Sequence, residues 1–388
     1  MPDGREPLSA RTLASIRDIA PEAWDAMAGK DNPFVKHGFL AALEDSGSAT
    51  AETGWAPMHL VVENSEGQPL AAAPLYLKSH SLGEYVFDHA WADAYGRAGG
   101  RYYPKLLCAV PFTPATGPRL LVPPALDAAP GEETRTILAR AMAEVAGRAG
   151  VSSLHVNFPC PDDARALQAA GYLSRAGVQY HWQNRGYAHF DDFLGQLSSR
   201  KRKAIRRERA AVRDAGIVIT QLTGADIRET HWDAFYVFYR DTTERKWGGG
   251  YLTRAFFSLL GERMADRVVL ILAEHGGRPV AGALNLLGGD ALYGRNWGCN
   301  AEFRFLHFEA CYYQAIEFAI ERGLDPGEAG AQGEHKIQRG YLPVETASFH
   351  WIENASFRVV LANYLARERA AVRAEIAHLA GFSPYRQS

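Results

Sequence analysis

The chain has 388 residues, of which 47% are hydrophobic, 11% aromatic and 22% charged, and its net charge is −2. That length exceeds one ordinary core and sets two domains as the prior, while the apolar content excludes wholesale disorder. The near-balanced charge excludes a global field for nucleic acid or membrane, so any polyanion must be met by a local patch.

From the N-terminus, Met1 to Lys30 carries acids throughout and has no signal-peptide core, and no apolar run approaches the roughly 20 residues of a membrane span, so a cytoplasmic location is expected. Trp24-Asp25-Ala26 sits on a helix after a short strand, and Phe34 to Leu43 reads as an amphipathic helix. A hairpin follows: Leu60-Val61-Val62-Glu63, a glycine turn, then Pro69-Leu70-Ala71. Asp88-His89-x-Trp91-x-Asp93 comes next, with a loop expected over Ala94 to Arg101. A long helix over about Glu133 to Ala149 is closed by Gly150, and Ser153 to Phe158 is a strand. Asp191 to Asp214 reads as a link. Beyond it the pattern returns with an offset of about 210 residues. Trp232-Asp233-Ala234, a helix over Tyr251 to Leu260, and a hairpin of Ile271 to Glu274 with Pro279-Val280-Ala281 repeat the first half in order. A long helix over about His307 to Arg322 is closed by Gly323, and a strand is expected around Glu328 to Ala331. The C-terminal run from Phe357 to Leu379 reads as a closing amphipathic helix. Each half is thus β-α-α-β-β-(β)-α-β, a mixed α/β order with α+β layers rather than strict βαβ alternation. Two domains are expected, 1–186 and 187–388, the second including the basic link and the closing helix.

Three places concentrate groups that could do chemistry. Asp88, His89 and Asp93 stand in a polar stretch after a strand, where one of them could take a proton from an attacking amine. From Gly330 to Tyr341, three glycines are interleaved with Gln332, Glu334, His335, Lys336 and Arg339; glycine admits close backbone approach, and Lys336 with Arg339 could neutralise a phosphate or carboxylate. Between Arg200 and Arg213 there are eight cations and one acid, with Arg202, Arg206, Arg209 and Arg213 along one helical face suited to phosphates. Arg304, ahead of the second long helix, is a further candidate for binding substrate. The four cysteines, Cys108, Cys160, Cys299 and Cys311, have no C-x-x-C spacing and read as buried small residues. His37, His59, His155, His181 and His350 lie in apolar-patterned segments and read as structural. No histidine pair has metal-site spacing and no Gly-x-Ser-x-Gly elbow occurs, so neither metal hydrolysis nor an acyl-serine intermediate is expected.

Phe87 to Ala94, Tyr103-Pro104-Lys105-Leu106, Pro111 to Gly117 and Gly330 to Tyr341 together resemble a family of N-acyltransferases of the GNAT superfamily, related to the Fem-type transferases that form peptidoglycan bridges. The resemblance spans most of the chain. It implies two tandem GNAT-like domains and amide formation between an amine and an activated acyl or aminoacyl group. It also implies a role for Lys336 in substrate binding and catalysis, and for Trp91, Tyr103 and Lys105 in holding substrate. No cofactor is bound permanently; acyl-CoA or aminoacyl-tRNA is the co-substrate, with tRNA a candidate partner and a small-molecule or cell-wall-precursor amine as acceptor. Trp297 to Leu306 lacks the glycine loop by which acyl-CoA enzymes hold pyrophosphate at a helix N-terminus, which keeps aminoacyl-tRNA in contention. The competing reading is a GNAT-fold module that has lost catalysis and binds an anionic partner through its basic helix and glycine-rich loop. A site at the junction of the halves, Lys336 facing Asp88 to Asp93, is the expected arrangement.

Overall fold

The computed structural model describes residues 7–386 apart from 127, 248, 329, 331 and 332. The chain forms two compact units, Met1–Gly177 with Thr346–Arg373, and Val178–Glu345 with Ala374–Ser388. Both are discontinuous in sequence. The boundary falls at 177/178, against the expected 186/187, and a C-terminal segment returns to the first unit.

In chain order the first unit contains β1 (Ser9–Leu13), α1 (Pro21–Ala28), α2 (His37–Asp45), β2 (Trp55–Pro57), β3 (His59–Glu63), β4 (Pro69–Ala73), β5 (Leu75–Lys78), α3 (His89–Arg97), β6 (Lys105–Cys108), α4 (Ala128–Arg148), β7 (Ser153–Asn157) and α5 (Pro161–Ala169). β8 (Leu173–Trp182) begins in this unit and ends in the other. The second unit continues with α6 (Phe190–Gln196), α7 (Ser199–Asp214), β9 (Ile217–Thr223), α8 (Glu229–Trp247), α9 (Arg254–Arg263), β10 (Val268–His275), β11 (Arg278–Leu287), β12 (Leu292–Cys299), α10 (Leu306–Phe308), a π-helical turn, α11 (Gln314–Glu321) and β13 (Gly327–Glu328). A 3-10 turn, Glu334–Arg339, leads into β14 (Leu342–Ile352) and α12 (Ala355–Ala380).

The repeat read from the sequence is present in the tertiary structure. Trp24 on α1 and Trp232 on α8 are both fully buried. The hairpins β3–β4 and β10–β11 are antiparallel, and both bulge at the step into the terminal acid, Val62/Glu63 in one and Ala273/Glu274 in the other. Gly150 and Gly323 end the long helices in the left-handed region, with φ of 63° and 65°. β10 is buried from Val268 to Ala273, and burial of each of its large aliphatic side chains is worth about 1.5–3 kcal/mol.

In the first unit β1-β3-β4 form one sheet and β2-β5-β6-β7-β14 the other. Pro74, which has no N–H to donate, marks where the chain leaves β4 and enters β5. β14 lies antiparallel to β7 with His350 opposite His155. The second unit has the order β8-β13-β12-β11-β10-β9, with Gly327 of β13 opposite Trp182 of β8. Each sheet is therefore completed by a strand arriving from the other half of the chain. Two expectations are corrected. Ala94 to Arg97 is the end of α3, because Asp88 stands before a helix rather than in an open loop. The strand expected over Glu328 to Ala331 is Gly327–Glu328, with 329 and 331 outside the described residues. Among the described residues no helix is long and apolar enough to cross a membrane.

Candidate functional site

In the first unit, Asp88 precedes α3 and Lys105 opens β6, and this places both side chains inside the fold. The Lys105 Nζ donates to Ser81 Oγ at 2.8 Å, to Glu84 Oε2 at 2.8 Å and to Asp88 Oδ2. Tyr102 Oη donates to the same Asp88 oxygen at 2.7 Å, and Tyr103 Oη shares a hydrogen bond with Ser81 at 2.7 Å. Lys78 is also buried, its Nζ 3.6 Å from the Trp55 ring and 4.0 Å from Glu84 Oε1. Burial would raise the Asp88 carboxyl, but Lys105 and His155 outweigh it and hold that group well below the usual carboxylate range. Burial dominates at Glu84, pushed up to about 7, and at Lys78, pushed down to about 7. For Lys105, burial is outweighed by Glu84 and Asp88, which hold the ammonium above its ordinary value.

Two histidines continue this network. His155 Nε2 lies 2.8 Å from Ser153 Oγ and 3.2 Å from Tyr102 Oη, and its Nδ1 is 2.6 Å from His350 Nδ1. One ring must donate and the other accept, so the pair holds a single proton between the two Nδ1 atoms. Burial pushes His155 down to about 3 and His350 well below its ordinary value.

Of the residues expected in this region, Asp88, Lys105 and Tyr103 are brought together, but as an internal ion-pair network. His89 and Asp93 are exposed on α3, and His89 stacks on Phe87. Trp91 is buried against Ile352, Leu361 and Leu365, with the Arg175 guanidinium 4.9 Å from its ring. β6 pairs with β7 from Leu106 to Cys108, which leaves no gap between them, and the buried Arg119 donates to the Asn157 and Ala115 carbonyls.

The second unit differs at the matching place. β12 pairs with β13 only at Leu292 and Tyr293, so among the described residues Gly294 to Cys299 have no strand on that side. Phe305, at φ 68°, turns the chain into α10, and the space beside it is a groove of about 410 Å³ lined by residues including Trp297, Phe303, Arg304 and His307. Arg304 is exposed and stacks on Phe305. The His307 ring lies 6.0 Å from that of His335, which joins the groove wall to the glycine-rich turn.

On that turn the side chains divide. Glu334 and His335 are exposed, His335 Nε2 meeting Tyr312 Oη at 2.8 Å. Lys336 is buried and donates to the Gly330 carbonyl at 3.0 Å. Burial lowers its ammonium to about 8, and burial together with Lys336 lowers His181 to about 4. Arg339 pairs with Glu208 at 3.2 Å and packs over the Phe308 ring at 3.3 Å, a buttress for the turn. Gly340, at φ 90°, lies where a Cβ would sit 2.8 Å from the Phe193 ring. Gln332 lies outside the described residues. Lys336 and Asp88 belong to different units.

On α7 the expected basic face is corrected. Arg209 turns inward and pairs with Glu309 at 3.0 Å and Glu317 at 2.8 Å, because two acids on the following elements face it. Arg206 is exposed and pairs with Asp191 at 2.8 Å, and Arg202 is half-buried. Sequence reading missed Lys78, Glu84, Tyr102, Tyr312 and the role of the His155–His350 pair. These residues are brought together by strand register, which no local spacing announces.

A family model, FemAB-like, described as peptidoglycan biosynthesis/recognition, matches residues 15–387. Among solved structures, FemX is similar with a TM-score of 0.56 and 13% identity, over 91% of this chain and 100% of that one. L-PGS from Bacillus licheniformis is similar with a TM-score of 0.51 and 11% identity, over 88% and 98%. The C-terminal domain of a putative lysylphosphatidylglycerol synthetase from Agrobacterium fabrum has a TM-score of 0.52 and 9% identity, over 89% and 95%. At such identities the likeness is one of fold. No curated protein matches the sequence.

Proposed function

This chain belongs to the FemAB-like family, and we propose that it is an N-acyltransferase that joins an activated acyl or aminoacyl group to an amine of a cell-wall precursor or related small molecule. The observation that carries this reading is the groove beside the end of β12, whose His307 ring lies 6.0 Å from that of His335 on the turn that bears Lys336. There an extended donor can lie in the groove while its carbonyl approaches the turn.

In this reading Lys336 stabilises the developing oxyanion or an anionic group of the donor, its ammonium held in a water-poor setting where such a contact is strong. Arg304 and Glu334 flank the substrate. His335, exposed beside the groove, takes the proton of the attacking ammonium. Asp88 is a poor base, since Lys105 and Tyr102 already donate to it. Acyl-CoA and aminoacyl-tRNA both fit as co-substrate, and attack is direct.

Lys336→Ala should lower kcat/KM about 100- to 1000-fold, the usual loss on removing one oxyanion donor. The measurement is amide formation followed by mass spectrometry with acyl-CoA and aminoacyl-tRNA donors, with circular dichroism confirming the fold. Undiminished turnover by a folded Lys336→Ala protein would sink the assignment.

A further inference from the structure

Strands β1, β2, β4 and β9 each pair on one side only. An unpaired strand edge is a template for another chain, and proteins blunt it with charge, proline, shortness or cover. Three of these edges are guarded. β2 has three residues and ends in Pro57. β1 carries Arg11, which donates to Glu63 at 2.8 Å. The outer side of β4 is met by Leu121, which exchanges two backbone hydrogen bonds with Ala72, at 2.9 and 2.7 Å. β9, by contrast, runs Ile217-Val218-Ile219-Thr220-Gln221-Leu222-Thr223 with no charge and no proline. β10 pairs along its whole length on one side, and among the described residues no backbone group meets the other. Its side chains alternate. Ile217 is buried, Ile219 packs on the core and Gln221 donates to Gln314 Oε1 at 2.9 Å, while Val218, 61% exposed, Thr220 and Leu222 face the other way. Arg213 and Asp214 precede the strand, and Asp226 and Arg228 follow it. All four are exposed, and among the described residues none makes an ion pair.

We propose that the free edge of β9 pairs antiparallel with β9 of a second copy of this chain, about a two-fold axis at Thr220. A two-fold axis perpendicular to the sheet keeps each side chain on its own face, so residues that stand opposite must share a face. An axis at the middle residue satisfies this and uses the whole strand. In that register Val218 stands opposite Leu222 of the second copy, Ile219 opposite Gln221, and Thr220 opposite Thr220. Such aliphatic and Thr–Thr pairs stabilise a ladder, and no like charges meet along it. Each end of the strand carries one cation and one acid, so the facing ends meet without net repulsion and with a counter-charge for every group. The seam is about 23 Å long, at the small end of protein interfaces, so the dimer forms reversibly and depends on concentration. A foreign extended peptide is a poorer occupant: β9 offers no charged residue to select one, whereas its pattern is its own complement. β10 and β11 separate this edge from β12, and the proposal stands whether or not an amide is formed there.

Sedimentation equilibrium of the intact protein between about 1 and 100 μM should show a monomer–dimer equilibrium. Thr220→Lys and Thr220→Glu each set like charges directly opposite at the axis, from an exposed position that leaves the core untouched. Each should raise the dimer dissociation constant at least about tenfold, with an unchanged circular dichroism spectrum. An equimolar mixture of the two variants should recover the dimer, because opposite charges then face each other; a contact elsewhere on the molecule would not be rescued. A fluorescein-labelled peptide of residues 216–224, followed by anisotropy, is the parallel probe and should compete with the dimer. A protein that is monomeric at the top of the range overturns the proposal, as does a dimer that both variants leave intact or a loss that mixing does not restore. Capture of the peptide by a protein that stays monomeric assigns the edge to a foreign strand and overturns it too.

Discussion

Replacing Lys105 with methionine tests whether the buried network of the first unit is held by compensating charge. The side chain is wholly inaccessible, and its ammonium is the shared partner of Glu84 and Asp88. Each carboxyl already has one buried oxygen without a hydrogen-bond partner, Glu84 Oε1 and Asp88 Oδ1, and when the lysine is lost Asp88 keeps only the Tyr102 hydroxyl as a donor. Breaking a buried pair from one side costs about 3–5 kcal/mol, against a total stability of roughly 5–15 kcal/mol for a domain. Lys78, 4.0 Å from Glu84, offsets part of this, which leaves Asp88 as the larger burden. Without Lys105, burial raises both folded-state carboxyl pKa values above the unfolded ones. A raised carboxyl contributes stability that is present below the unfolded pKa and is lost as pH rises through the folded pKa. The Lys105→Met deficit should therefore be about 3 kcal/mol or more at pH 8, clearly smaller at pH 5, and reduced at pH 8 by adding Asp88→Asn. Urea unfolding of the three proteins at both pH values measures it. A deficit under about 1 kcal/mol at both, or one larger at pH 5 than at pH 8, refutes the reasoning.

The histidine pair predicts acid sensitivity: burial lowers His155 from 6.5 to about 3 and His350 well below its ordinary value. The unfolded chain then binds more protons between these values, so this contribution is complete above about pH 6.5 and is lost as pH falls. Glu84, raised to about 7, acts with the opposite sign but is common to both proteins in a comparison with His350→Asn. The stability advantage of the unsubstituted protein over His350→Asn should shrink by about 2 kcal/mol between pH 6.5 and pH 5, and an advantage constant across that range would remove the pair from the account. Gly340→Ala places a β-carbon at φ 90° against Phe193 and should cost about 1–3 kcal/mol, seen as a Tm lower by several degrees; an unchanged Tm would mean the turn relaxes freely.

Much of the architecture is local, and so it was readable. Apolar periodicity around Trp24 and Trp232, the two hairpins with their terminal acids, and the glycines closing the long helices depend on residues within a few positions of one another. Helix and hairpin formation need little else, which is why the repeat and the mixed α/β order follow from the sequence alone. The concentration of glycine and charge from Gly330 to Tyr341 was likewise visible, and it locates the turn that bears Lys336.

Tertiary structure alone decided which polar groups are partners and which are free. Nothing around Asp88 in the sequence says that Lys105 and Tyr102 will occupy it, because the three meet through the fold rather than through spacing. Arg209 and Arg207 are two residues apart on one helix, yet the first is satisfied by Glu309 and Glu317 from later elements while the second faces solvent. The open side of β12 is decided the same way. Among the described residues β13 pairs with it only at Leu292 and Tyr293, whereas in the first unit β6 pairs with β7 from Leu106 to Cys108. A side chain's chemistry is local, but its pKa and its availability are set by desolvation and by charges that only long-range packing brings within a few ångströms.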